Sequence, residues 1–361
     1  VPDRSPPPRQ QSLFGSPEPD PPARAKQRRA TGVQPQPVED DLQALAASLP
    51  PNLRLGTSSW SFPGWRGLVY TEASPAGKLA SEGLAAYAQH PLHRTVGVDR
   101  TFYAPIGEAT FAGYAAAVPA EFRFLVKAWS DVTSPTRQHP QPGPSPHHLD
   151  AGVARDRVLG PAVGGLGDKL GVVLFQFPPQ GEAATSAPER FAERLQAFFA
   201  ALRVGAPNAP LAVELRDPSL LHPATVAALQ SCGVQHCFAI HAAMPGLLRQ
   251  RDLVPLERLP SGPLTIRWML QPGLRYQQAQ QRFDPFDQLA APDPHSRSAI
   301  AELIVAAVPL GKEVLVVANN KAEGCAPRSL VELAREVRSR LAAGSGTPAA
   351  HATVSPPPAA G

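Results

Sequence analysis

The chain has 361 residues, 43% hydrophobic and 18% charged, enough to bury one large core or two small ones. Its net charge of +4, from 34 Lys+Arg against 30 Asp+Glu, is too mild for the concentrated basic surface of a dedicated nucleic-acid binder. Three cysteines, Cys232, Cys237 and Cys325, are an odd number in a long chain and indicate no disulfide framework.

Proline is unevenly spread: ten of the 44 prolines fall in residues 1–40. That segment holds few large apolar residues and cannot bury enough surface to offset its ordering entropy, so a disordered Pro/Arg-rich tail is expected there. Within it Ala23–Ala30, ARAKQRRA, carries four basic residues that offer a contact for a polyanion. Residues 343–361 read as a second disordered tail, rich in Pro and Ala, leaving 41–342 as a single folded domain. No stretch reaches the roughly 18 consecutive apolar residues of a membrane span. The N-terminus lacks the apolar core of a secretory signal. The expectation is a reduced, cytoplasmic protein with no membrane partner; its oligomeric state is open.

Between the tails, residues 41–49 read as a short amphipathic helix, and strand-like runs then alternate with helix-like ones. The strands are expected at Leu53–Thr57, Thr95–Val98, Phe122–Ala128, Gly171–Phe177, Leu211–Leu215, Val234–Ile240, Leu264–Met269 and Glu313–Ala318. The intervening helices are expected at Lys78–Gln89, Glu108–Ala117, Leu149–Leu159, Pro188–Leu202, Pro223–Ser231, Asp252–Leu259, Arg275–Arg282 with Arg297–Val308, and Ser329–Leu341. Eight β-then-α units in this length fit a TIM (β/α)8 barrel. Several strands are continuously apolar, as parallel strands covered on both faces should be. A doubly wound open sheet would instead place a glycine-rich phosphate turn after the first strand, and Gly56-Thr57-Ser58-Ser59-Trp60-Ser61 is not one.

In such a barrel the functional side chains stand at the C-terminal ends of the strands. Those ends supply Ser59 and Trp60, Asp99 and Arg100, Lys127, Gln176, Glu214 and Arg216, His241, Arg267, and Asn319 with Asn320 and Lys321. Polar loop ends are ordinary; charges still inside a strand run are costly unless paired or used. Lys127 in FRFLVKA, Glu214 in LAVELR and Arg267 in LTIRWM meet that stricter test. Glu214 and Arg216 are two apart and share a strand face. Together with Arg267 and Lys127 they describe either a pocket for an anion or a salt-bridge network filling the barrel top, and both can hold at once.

If there is a reaction, Glu214 is the natural general base and Lys127 an acid or Schiff-base amine. Arg216, Arg267, Asn319, Asn320, Asp99, Gln176, His241 and Trp60 are the candidate ligand contacts. Glu214, His241 and Asp99 alone are a poor metal set, Cys232 and Cys237 flank His236 at no standard zinc spacing, and no cofactor is expected. Trp60, Phe62 and Trp65 offer either stacking on a flat ligand or packing of their loop against the barrel rim.

The motifs GTSSWSFPGWRGLVY, TFYAP, FRFLVKA, GDKLGVVLFQFPP, LAVELRDPSLL and VVANNKAEGCAP, in that order over residues 53–342, closely resemble those of the YecE-like family, domain of unknown function 72. The resemblance implies a TIM barrel and implies no particular reaction. The commoner family pattern has a Glu and an Asn in the second strand where this chain has Gly97 and Asp99, so a catalytic role of that Glu would not carry over. The reading reached from the residues is a barrel mouth that binds a small anionic or sugar-like molecule, with metal-independent acid/base chemistry as an open addition. The alternatives are a nucleic-acid-associated protein, using the basic tail and aromatic loop, and a non-catalytic binding module.

Overall fold

The computed structural model describes residues 32–137 and 142–345. Eight parallel strands close into a barrel in chain order: β1 (Leu53–Thr57), β2 (His93–Val98), β3 (Arg123–Lys127), β4 (Leu170–Phe177), β5 (Leu211–Leu215), β6 (Gln235–Ile240), β7 (Leu264–Trp268) and β8 (Val314–Ala318). Closure runs from Leu53 beside Val314 to Thr57 beside Ala318. The TIM-barrel expectation is therefore met, and no strand end departs from its expected position by more than two residues.

The strand runs are buried along nearly their whole length because helices cover the outside while side chains fill the inside. The helix Pro188–Gly205 turns Phe191, Leu195, Phe198, Phe199 and Leu202 onto the barrel, the spacing of one helical face. Phe198 and Phe199 meet Phe175 of β4 edge-on at 5.6 and 5.2 Å.

Several helices differ from the sequence reading for local reasons. Lys78–Gln89 is two pieces, Ala76–Glu82 and Leu84–Tyr87, parted at Gly83. The helix expected at Asp252–Leu259 lies earlier, at Leu247–Leu253, because Pro255 pulls Val254 out of helical geometry. The last helix, expected from Ser329, starts three residues earlier and spans Ala326–Ser345. Its first amide, Ala326 N, donates to Asn320 Oδ1 at 2.8 Å. In the stretch Gly164–Gly167, Gly167 at φ +51° ends a helix, as expected of a turn before a strand.

Most of both expected tails, including Ala23–Ala30, lies outside the described residues. Within the N-terminal one, Gln36 N donates to Val69 O at 2.9 Å and Thr71 N to Gln34 O at 3.2 Å. Residues 34–36 therefore run beside 69–71 and are joined to the barrel rather than part of a free tail. The C-terminal helix likewise continues to Ser345, past the expected boundary at 342. Among the described residues, no helix is long and apolar enough to cross a membrane.

Candidate functional site at the barrel mouth

Alternate residues of each strand point inward. Leu125, Val172, Leu174, Ala212, Cys237, Leu315 and Val317 form a separate buried cluster that fills the barrel interior. Two residues further along the same strands stand Lys127, Gln176, Glu214, Ala239 and Asn319; two further again on β5 and β6 stand Arg216 and His241. The period of two that built the apolar core thus sets out the polar mouth.

Glu214 is completely buried, at 0% exposure. Arg216 Nη2 forms an ion pair with Oε1, which has no hydrogen bond among the described residues, and Arg267 Nη1 donates to Oε2. Gln176 Oε1 accepts from both guanidiniums as well, at 3.1 Å from Arg267 and 3.4 Å from Arg216. Arg267 stands two strands away from Glu214, and what β6 places beside it in register is Ala239. A methyl group at that level leaves room for the guanidinium to reach across. Burial alone would raise the Glu214 carboxyl, but the Arg216 and Arg267 charges outweigh it and hold it at about 2. A carboxylate so engaged is an anchor for two arginines. Held at about 2 by two guanidiniums, it has little of the proton affinity that a general base needs near pH 7.

The two lysines differ. Lys127 is 7% exposed and Lys321 2%; among the described residues neither ammonium has a hydrogen bond or ion pair, and neither Nζ is among the fully buried polar atoms left without a partner, so the small exposed part of each side chain includes its charge. Lys127 Nζ lies 3.8 Å over the Phe102 ring. Lys321 Nζ lies 4.2 Å over Tyr276 and 5.4 Å over Phe286. These ring contacts favour a cation but do not replace a counter-ion. Burial pulls each amine down to about 8, with the nearby Asp99 carboxylate opposing the fall. Asp99 itself has Arg267 Nη2 at 3.7 Å from Oδ1. Thr101 Oγ1, 2.6 Å from the carbonyls of both Val98 and Lys127, ties together the strand ends that carry Asp99 and Lys127.

The remaining candidates divide. Asn319 Nδ2 donates to Ser58 Oγ at 2.8 Å, closing β8 onto the end of β1. His241 is half-buried, and its Nδ1 accepts from Ala243 N at 3.2 Å. Burial and then Arg216 hold its imidazole at about 4, so it is neutral near pH 7. Trp60 does not join the mouth: it is buried, edge-on to Tyr114 at 5.2 Å, with its indole N–H donating to Ala80 O at 3.2 Å. Asn320 does not either; its Oδ1 accepts from Trp65 Nε1 at 3.2 Å and from Ala326 N. The aromatic loop is thus rim packing. Gly97 faces the same β1 end: a Cβ there would lie 3.1 Å from Ser58 Cα, so a Glu at this place would press on the backbone.

Lys321 stands among the strand-end residues but not among the candidate ligand contacts, and Tyr103 and Tyr276 stand in neither set. Lys321 follows a strand end, where polar residues are commonplace. Its burial comes from residues 276–286, which no strand pattern links to it. Among the described residues no group of three or more His, Cys, Asp or Glu side chains is placed to hold a metal. His139 lies outside the described residues; His148 Nε2 is engaged with Gln180 Oε1 at 3.0 Å.

A closed parallel eight-stranded barrel with its polar cluster at the strand C-termini defines a TIM-barrel protein. Within that class, the chain belongs to the DUF72 family, described as a protein of unknown function, which it matches over residues 54–352. Two crystal structures of a DUF72 family protein from Enterococcus faecalis are similar at 17% and 16% identity, with TM-scores of 0.52 and 0.51. They cover 79% and 80% of this chain and 95% and 97% of theirs. A DUF72 family protein from Thermotoga maritima matches at 18% identity and TM-score 0.47, covering 80% of this chain and 99% of that one. No curated protein matches. The Enterococcus faecalis structures support the fold.

Proposed function

We propose that the mouth binds a small anionic molecule, a phosphate or carboxylate, through Lys127 and Lys321. The observation that carries this reading is a pair of lysines with buried stems whose ammoniums have no anionic partner among the described residues. Around them, Lys127, Lys321, Arg216 and Arg267 supply four positive charges against two negative ones from Asp99 and Glu214, a surplus of two. Glu214 already engages both arginines, so the surplus sits on the lysines. A charge on a largely desolvated side chain is only partly compensated by the water its tip can reach, and an incoming phosphate or carboxylate would compensate it with charge-assisted hydrogen bonds. If the bound molecule reacts, the proton-transfer role belongs to Lys127, whose amine titrates near 8, with Asp99 beside it. Glu214 then serves to position the arginines.

The test is a thermal-shift series with phosphorylated and carboxylated metabolites at pH 7, since a ligand that binds only the folded state raises its stability. A midpoint rise is expected in the native chain and not in the Lys127→Met, Lys321→Met double variant. The amines are charged below about 8 and neutral above it, so the rise should fade at pH 9.5. No rise with any anion, or the same rise in the double variant, would sink the proposal. A single-stranded oligonucleotide in the series addresses the polyanion alternative, which rests on Ala23–Ala30.

A further inference from the structure

Two features of the mouth are not explained by an anion alone. The first is Asp99. Its Oδ1 is buried and has no hydrogen bond among the described residues, Arg267 Nη2 at 3.7 Å being too far to donate well. A buried carboxylate oxygen calls for a donor. A carboxylate or a fully ionised phosphate ester has no donor to offer, and inorganic phosphate only its own P–OH. O–H or N–H groups on the body of the bound molecule would meet Asp99 and leave the anion for the lysines.

The second is the lip. Among the described residues, Tyr103 and Tyr276 are the two aromatic side chains in the exposed class, at 53% and 41%. Tyr103 adjoins Phe102, whose ring lies under Lys127 Nζ, and Tyr276 lies under Lys321 Nζ, so one exposed phenol stands beside each lysine. Their rings are held rather than loose: Phe102 meets Tyr103 edge-on at 5.6 Å, and Lys321 Nζ caps Tyr276. Neither hydroxyl has a hydrogen-bond partner among the described residues. Rigid ring faces with free hydroxyls at their tips suit a body that is apolar on its C–H face and polar at its edge.

We infer that the anion is carried by a polyhydroxylated ring, an anionic monosaccharide, whose hydroxyls donate to Asp99 while Tyr103 and Tyr276 flank the ring. This rests on the anion-binding reading above and adds the body of the ligand to it. A sugar phosphate and a sugar acid share this chemistry. Asp99 and the two tyrosines are then the residues that set specificity.

Calorimetric titration of the full chain with inorganic phosphate, glucose, glucose 6-phosphate, ribose 5-phosphate and glucuronate tests it. At least one ring-bearing anion should bind about tenfold or more tightly than inorganic phosphate, a difference of about 1.4 kcal/mol. The phosphorylated and carboxylated arms tell the two sources apart. In a Tyr103→Leu variant, whose ring contacts neither lysine, that advantage should shrink at least threefold while phosphate affinity changes by less than about twofold; the position is 53% exposed, so folding is not at risk. Asp99→Leu should likewise weaken the ring-bearing anion. Equal binding of phosphate and ring-bearing anions by the native chain overturns the inference and leaves the anion reading standing. An advantage that survives in the tyrosine variant overturns it too. No binding of any anion overturns both.

Discussion

At the scale of single residues, Glu214 shows how position and partner together decide what a charged group does. Its place inside LAVELR marks it as costly, and the cost is met by two guanidiniums. Replacing it with the isosteric amide should therefore act mainly on stability. Glu214→Gln removes the fully buried anion of the mouth and leaves Arg216 and Arg267 facing each other beside Lys127. Removing one partner of a buried pair typically costs about 3–5 kcal/mol, and urea denaturation at pH 7 should show a loss of that order. A loss below about 1 kcal/mol would mean that water enters the mouth and screens the arginines. Much of this was legible in the sequence, because Lys127, Glu214 and Arg267 interrupt apolar strand runs. What was not legible is who pairs with whom. Arg267 reaches Glu214 only because register puts Ala239 between them. Lys127 has no such carboxylate, and nothing in FRFLVKA distinguishes it from Arg267 in LTIRWM.

Among the elements, β1 and the loop that follows it carry the strongest motif of the chain, and their contribution is geometric. A Cβ on Gly56 would lie 1.8 Å from the Thr95 carbonyl oxygen, at the point where the β1–β2 register shifts. Glycine lets β1 approach β2 closely enough for Ser58 to reach Asn319 and complete the ring of strands. Gly56→Ala must push the strands apart. It should lower stability by about 1–3 kcal/mol, the usual cost of overpacking, read as a fall in melting temperature; an unchanged melting temperature would show that the bulge relaxes freely. The eight strands were readable because a parallel strand covered on both faces is apolar throughout, a signal independent of register. The loop was harder. Aromatic residues beside Gly and Pro fit a ligand platform and rim packing equally well. The contacts that decide it, Trp65 to Asn320 and Trp60 to Ala80 in the helix Ala76–Glu82, join positions 255 and 20 residues apart in the chain.

For the whole molecule, charge and burial combine into a prediction about pH. Besides His241, three imidazoles are buried away from the mouth. His90 and His93 stack on each other at 3.9 Å at the opposite end of the barrel, where His93 also stacks on Tyr87. They border a cavity of about 340 Å³ with Arg94 and Glu121. His236 lies against Phe238, with its Nε2 at 3.2 Å from Gln250 Oε1. Burial lowers all three: His90 and His236 to about 4, and His93 well below its ordinary value, with His90 adding to the fall. The unfolded chain takes up these protons near 6.5, before the folded one does. Their neutral burial is therefore compatible with full stability above about 6.5, and stability is lost as pH falls towards 4. Each histidine can contribute at most about 1.4 kcal/mol per pH unit to that slope. Glu214 behaves in the same sense but later: its depressed carboxyl contributes stability above its ordinary 4.5, lost only as pH falls from there to about 2. Acid weakening should thus begin with the histidines, well above the carboxylate range. The urea midpoint should already be lower at pH 5 than at pH 7, by an amount worth several kcal/mol, with anion-free buffers used so that ligand linkage does not mask it. A midpoint that holds from pH 7 to 5 and breaks only below 4.5 would place the stability-determining protons on carboxylates and show these imidazoles to be solvated.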